Sequence, residues 1–176
     1  MDILFDEIPS LDLADFTSGN PEQKAAFVKK LGEAYQNIGF VAIKNHGLSK
    51  DLQDRLYGSI KSFFALPDEV KSKYEKPEIG YQRGYTGKGK EHAKGRNTGD
   101  LKEFYHVGQE LEFIPDTDPI KSEYPENLWP MEIPQFQQDA IEAYQTLEHA
   151  GKQMLKAIAL NLELPEDYFE DKVAHG

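Results

Sequence analysis

Cysteine is absent from the 176 residues. That absence excludes a disulfide framework, thiolate zinc sites, iron–sulfur clusters and a cysteine nucleophile. No apolar run approaches the roughly 20 residues that span a bilayer, and the opening "MDILFDEIPS" lacks the basic start of a secretory signal. Basic residues are in deficit, with 20 Lys and Arg against 31 Asp and Glu and a formal charge of −11. A chain charged in this way repels phosphate backbones and anionic lipid, so neither nucleic acid nor a membrane is an expected partner. Acceptor sites for N-glycosylation are missing too, since Asn97 is followed by Thr98 and then Gly99. These absences point to a soluble, cytoplasmic protein. Its length suits one ordinary domain with a real core, or a piece of one.

What is present reads as mixed α and β. "IPSLDLADF" alternates from Ile8 to Leu13, a short strand entering a turn at Thr17–Asn20. Asn20 has the look of an N-cap, with Pro21 at the first helical position and Gln23 placed to close a capping box. Apolar residues at helical spacing from Phe27 to Ile38 predict an amphipathic helix over about 21–38. Gly39 ends it, and Phe40 to Ile43 predict a buried strand leading to the turn Asn45-His46-Gly47. A second helix is expected over about 49–65, with Leu52, Leu56, Ile60, Phe63 and Phe64 on its inner face. A short third one starts at Pro67.

Residues 76–100 hold six glycines and few apolar side chains, which predicts a long polar loop. "LKEFYHVGQELEF" has the aromatic alternation of a strand or hairpin edge, and the proline-rich 115–130 reads as extended chain. A long helix is expected over about 134–162, its face held by Phe136, Ala140, Tyr144, Leu147, Gly151, Leu155, Ile158 and Leu162. On its surface Glu148 and Lys152 pair at i,i+4.

Residue chemistry alone yields no active site. Gly84 to Lys90 fits the first part of a phosphate-binding glycine loop, but Glu91 stands where Ser or Thr should hold magnesium. It reads as a polar loop. Two positions beyond His46, His92, His106 and His149 stand Leu48, Lys94, Gly108 and Gly151, so no H-x-D or H-x-E ligand pair exists; His175 has only Gly176 after it. Glu103 and His106 make one E-x-x-H, but on a strand i and i+3 face opposite ways. Lys102 and Glu103 are expected to form a surface pair.

The order of these segments nevertheless resembles a known family. "IPSLDL", "GFVAIKNHG", "FFALPDEVKSKY", Gly84-Tyr85, "DLKEFYHVG", Leu128-Trp129-Pro130, the long helix and "LELPEDYF" follow one another as in the isopenicillin N synthase-like, non-haem iron(II)/2-oxoglutarate-dependent dioxygenases. The resemblance implies an α+β fold: the N-terminal helical and strand region of a double-stranded β-helix (jelly-roll) oxygenase, with most of the β-helix core outside 1–176. It implies Fe(II) and 2-oxoglutarate as cofactors, a small-molecule substrate for hydroxylation, desaturation or cyclisation, and the C-terminal β-helix core as the partner of this region. In the family the iron is held by H-x-D and a later His, and 2-oxoglutarate by an Arg of R-x-S. No position here matches them, so no catalytic or metal residue is assigned, and the chain alone is expected to be inactive. His46 is similar to the family's N-H-G histidine, which is not an iron ligand; its expected work is hydrogen bonding at a turn that Gly47 permits. The substrate-binding expectation falls on Arg83, Tyr85 and Tyr105, with Arg83 one position displaced from the family's arginine. The competing reading is a non-catalytic module that binds a partner through uncovered apolar faces.

Overall fold

The computed structural model describes residues 8–90, 99–110, 117, 119 and 124–173. They divide into two compact units, one within Met1–Ser49 and Gln145–Gly176, the other Lys50–Tyr144.

In the first unit β1 (Ser10–Asp12) pairs in parallel with β2 (Ala42–Lys44), Leu11 opposite Ile43. Parallel pairing requires a crossover, supplied by α1 (Leu13–Thr17) and α2 (Pro21–Asn37). The Asn20 side chain accepts from Gln23 N at 2.9 Å, and the Gln23 side chain accepts from Asn20 N at 3.0 Å, the reciprocal box read from the sequence. Leu11, Leu13, Phe16, Phe27 and Leu31 form the core with Ala150 and Ala157 of the long helix α5 (Pro134–Asn161). A Cβ on Gly32 would come within 2.1 Å of Asn161 Nδ2, so a larger residue there would have to displace the Asn161 side chain.

Three expectations are corrected in this unit. Leu13 to Thr17 form a helix rather than continuing a strand, because the Asp12 side chain accepts from Ala14 N at 2.9 Å and caps it. The strand expected at Phe40–Ile43 is Ala42–Lys44 and is not buried; Phe40 is 68% exposed. On α5 the expected stripe is partly outward, with Leu147 and Leu162 exposed, while Ala150 and Ala157 face the core. Small side chains give little hydropathy contrast, yet they are what close packing of a helix requires.

In the second unit, α3 (Lys50–Phe64) precedes α4 (Asp68–Lys71) and 3-10 turns at Ser72–Tyr74 and Pro77–Ile79. Strand β3 (Gly84–Thr86) then pairs antiparallel with β4 (Phe104–His106), Tyr85 opposite Tyr105. The Pro134–Tyr144 part of α5 completes the unit. Phe63, fully buried, sits among the rings of Phe64, Tyr74, Tyr85, Tyr105 and Phe136 at centroid distances of 4.8–6.4 Å. The expected polar loop 76–100 therefore contains a buried strand. Gly84 makes it fit: its φ is 78°, and a Cβ there would meet Tyr74 O at 2.3 Å. Residues 91–98 of that loop, which include His92, then His175 and part of the proline-rich stretch lie outside the described residues. Among the described residues no helix is long and apolar enough to cross a membrane.

Candidate functional site

The β3–β4 pair organises the polar interior of the second unit. Alternation puts Glu103 and Tyr105 on the same side of β4 and Phe104 and His106 on the other; the Phe104 and His106 rings meet at 4.6 Å. Glu103 Oε2 accepts from Lys71 Nζ at 2.8 Å and from the Tyr85 hydroxyl at 2.5 Å. Asp68 adds a second carboxylate 3.0 Å from Lys71 Nζ. Lys71 is buried, and its hydrogen bond to Glu103 keeps it protonated well above the usual lysine range, against the cost of burial. The same bond holds Glu103 below the usual carboxylate range. Burial, then the Glu103 carboxylate, pushes the Tyr85 hydroxyl up to about 12. This triad is ionised as lysine and carboxylate at any physiological pH, with a neutral phenol donating into it.

The expected Lys102–Glu103 surface pair is thus corrected: Glu103 turns inward to Lys71, and Lys102 lies 3.8 Å from Asp100. The missed residue is Lys71, 32 positions away in sequence. The signal that points to Glu103 is its i,i+2 relation to Tyr105, which places both on one strand face.

Two cavities adjoin this network, and Glu103 lines both. An apolar groove of about 360 Å³ is walled by Leu56, Ile60, Phe64, Tyr105, Phe136 and Tyr144, among others. A polar cavity of about 260 Å³ is lined by Asp68, Ser72, Glu75, Tyr85, Gly87, Lys88, Lys90 and Glu103. Of the three residues expected to bind substrate, the structure brings Tyr85 and Tyr105 together on facing strands, one lining each cavity. The Tyr105 hydroxyl donates to Leu128 O at 2.6 Å, and burial raises its pKa. Arg83 lines neither cavity. Its Nη1 donates to Gln82 O at 2.8 Å, its guanidinium lies against Gly108, and its buried Nε has no hydrogen-bond partner.

The described histidines each have local work or face outward. His46 Nδ1 accepts from Leu48 N at 3.2 Å in a turn where Gly47 has φ 90°, the role expected of it. His106 Nδ1 lies 3.1 Å from Tyr81 O, and His149 is exposed on α5. Among the described residues no three His, Asp or Glu side chains are grouped to hold a metal ion.

Comparison with known proteins agrees with this architecture. Residues 8–132 match the family described as non-haem dioxygenase in morphine synthesis, N-terminal. The 2-oxoglutarate-dependent dioxygenase imqE of Aspergillus flavus is 30% identical over 92% of this chain and 50% of its own length. The proline hydroxylase buaE of Petromyces alliaceus is 33% identical over 93% of this chain and 50% of its own length. The crystal structure of a 2OG-Fe(II) oxygenase family protein from Caulobacter crescentus superposes with a TM-score of 0.78 at 34% identity, covering 93% of this chain and 51% of that one. The chain spans about half the length of the relatives it matches. It belongs to the non-haem dioxygenase N-terminal family.

Proposed function

We propose that this chain is the N-terminal half of an Fe(II)/2-oxoglutarate-dependent oxygenase that hydroxylates, desaturates or cyclises a small molecule. The observation that carries the reading is the 34% identity and TM-score of 0.78 to the Caulobacter crescentus oxygenase over nearly all of this chain but 51% of that one. On this reading the iron and 2-oxoglutarate ligands belong to a C-terminal β-helix core, which supplies the oxidising chemistry. The residues of 1–176 bind, orient and exclude water.

The apolar groove supports that division of labour. Pockets that take small molecules are concave, mainly apolar and carry few polar groups, and this groove sets Tyr105 and Glu103 among aliphatic and aromatic side chains. Tyr105 offers a ring face for stacking and Tyr85 fixes the Glu103 carboxylate, whereas Arg83, packed on Gly108 outside both cavities, is left without a substrate contact. The β-helix core closes the groove.

The test is 2-oxoglutarate-dependent succinate release from purified 1–176 and from the product of the natural reading frame. Turnover is expected only from the longer product, with H-x-D and a later His in its additional sequence. Succinate release from 1–176 alone overturns the division of labour. A natural product ending at Gly176 with no turnover favours the non-catalytic, partner-binding reading instead.

A further inference from the structure

The second cavity differs in kind from the groove. Its wall carries two half-buried carboxylates, Glu75 and Glu103, two exposed lysines, Lys88 and Lys90, and the exposed Asp68, which is already paired with Lys71 at 3.0 Å; one side of it is locked. Glu103 Oε2 is held by Lys71 at 2.8 Å and by Tyr85 at 2.5 Å, which leaves Oε1 facing Lys88 Nζ at 3.8 Å. Glu75 faces Lys90 Nζ at 3.5 Å. Both distances exceed the roughly 2.7–2.9 Å of a charge-assisted hydrogen bond. The glutamate side chains are 19% and 16% exposed, whereas those of Lys88 and Lys90 are 63% and 43% exposed. Half-buried acceptors, one of them held by Lys71 and Tyr85, thus face exposed donors across an open space of about 260 Å³.

We propose that this cavity is a binding site for a small zwitterion of amino-acid size, carrying one ammonium and one carboxylate group. The ligand ammonium takes the free acceptor capacity of Glu103 and Glu75, and its carboxylate takes Lys88 and Lys90. Loose, exposed ion pairs contribute little on their own, so exchanging them for contacts to a ligand loses little. The Lys71–Glu103–Tyr85 network holds one acceptor in place before binding, which removes an ordering cost. Gly87 keeps the space open, since a Cβ there would stand 2.8 Å from Glu75 Oε1.

Other ligand classes fit less well. A phosphate would share the space with the carboxylates of Asp68, Glu75 and Glu103, and the lysines of the glycine loop are already opposed by the two glutamates. A divalent cation lacks a group of three acidic or histidine ligands among the described residues. An apolar ligand would strip water from charged side chains with nothing to replace it. The proposal rests on the cavity alone and holds whether or not the chain is part of an oxygenase.

The experiment is an NMR titration of the ¹⁵N-labelled chain with L-serine, read at the Gly87, Lys88 and Lys90 amides. Ethanolamine, which keeps only the ammonium, and 3-hydroxypropanoate, which keeps only the carboxylate, are titrated alongside. Saturable shifts are expected with L-serine, at a dissociation constant roughly tenfold or more below that of either fragment. Glu75→Gln, Lys90→Met and Gly87→Ala should each weaken L-serine by roughly tenfold while the amide spectrum away from the cavity stays unchanged. Absence of saturable shifts with L-serine overturns the proposal. So does a fragment that binds as tightly as L-serine, which makes the cavity a plain cation or anion site, and so do variants that bind unchanged.

Discussion

The two compact units bury different things. The unit within Met1–Ser49 and Gln145–Gly176 has an apolar cluster at its centre, Leu11, Leu13, Phe16, Phe27 and Leu31 with two alanines. Its ion pairs, such as Lys24–Glu166 at 2.7 Å, stay at least partly in solvent. Every buried polar or charged residue among those described, Ser59, Lys71, Thr86 and Asp139, lies in Lys50–Tyr144. So do the four buried polar atoms without a hydrogen-bond partner, on Arg55, Arg83, Thr86 and Asp139. Native interiors hold few such atoms, and the departures concentrate where a fold gives up local stability for binding or catalysis. One unit is built on an apolar cluster, the other around buried polar and charged groups.

The strongest way to break that contrast is to empty each core in turn. Phe63→Ala removes a ring that touches five other aromatic rings and should lower the unfolding free energy of its unit by about 3–5 kcal/mol. Leu31→Ala, at 0% exposure in the other unit, should cost about 2–5 kcal/mol. The single tryptophan, Trp129, lies 6.3 Å from the Phe136 ring and reports on the second unit. Urea unfolding followed by its fluorescence should show the Phe63→Ala shift in full. If Leu31→Ala moves the fluorescence midpoint equally, the two units unfold as one cooperative body and the contrast is one of content, not of stability.

A smaller effect tests the charged interior directly. Lys71→Met keeps the stem volume but leaves Glu103 facing Tyr85 without its cation, at an expected cost of about 2–3 kcal/mol at neutral pH. The pH dependence separates charge from packing. Glu103 is held below its ordinary value of 4.5, so its contribution is complete above that pH and is lost as pH falls through the lower folded value. Lys71 is held above its ordinary value of 10.5, so its contribution is complete below that pH and is lost as pH rises through the higher folded value. The gap between native protein and variant should therefore be flat between these limits and shrink in acid. A gap that persists once the pH is below the folded value of Glu103 would assign the effect to packing around the side chain rather than to the ion pair.

How much of this could be read from the residues follows from the range of the forces involved. Pro21–Asn37, Lys50–Phe64 and Pro134–Asn161 lie within a residue of the expected helices, because caps and periodicity are local. His46 and the Glu148–Lys152 pair at 2.9 Å were legible for the same reason. Strand β3 was not, since six glycines dominated the composition around a three-residue strand whose burial is set by Tyr74 and Leu128. Nor was the Lys71–Glu103 pair: "DEVK" and "LKEF" each carry their own opposite charge next door, and only the fold selects the distant partner. Tyr85 and Tyr105 meet through the β3–β4 register, which no local signal encodes, while Arg83 precedes the strand.

The smallest effect belongs to the first unit. Asn20 and Gln23 satisfy each other's backbone N–H groups at the start of α2, at 2.9 and 3.0 Å, in full solvent. Asn20→Ala removes one acceptor that water replaces only in part, so it should cost about 1 kcal/mol. Asn20→Gly should cost a few tenths, because glycine at a cap frees the backbone N–H to solvent. Circular dichroism through a urea titration resolves the difference. An Asn20→Ala cost well above that figure would mean that the box also fixes the entry angle of α2 onto Leu13 and Phe16. The first unit would then depend on a surface polar contact as much as on its apolar cluster.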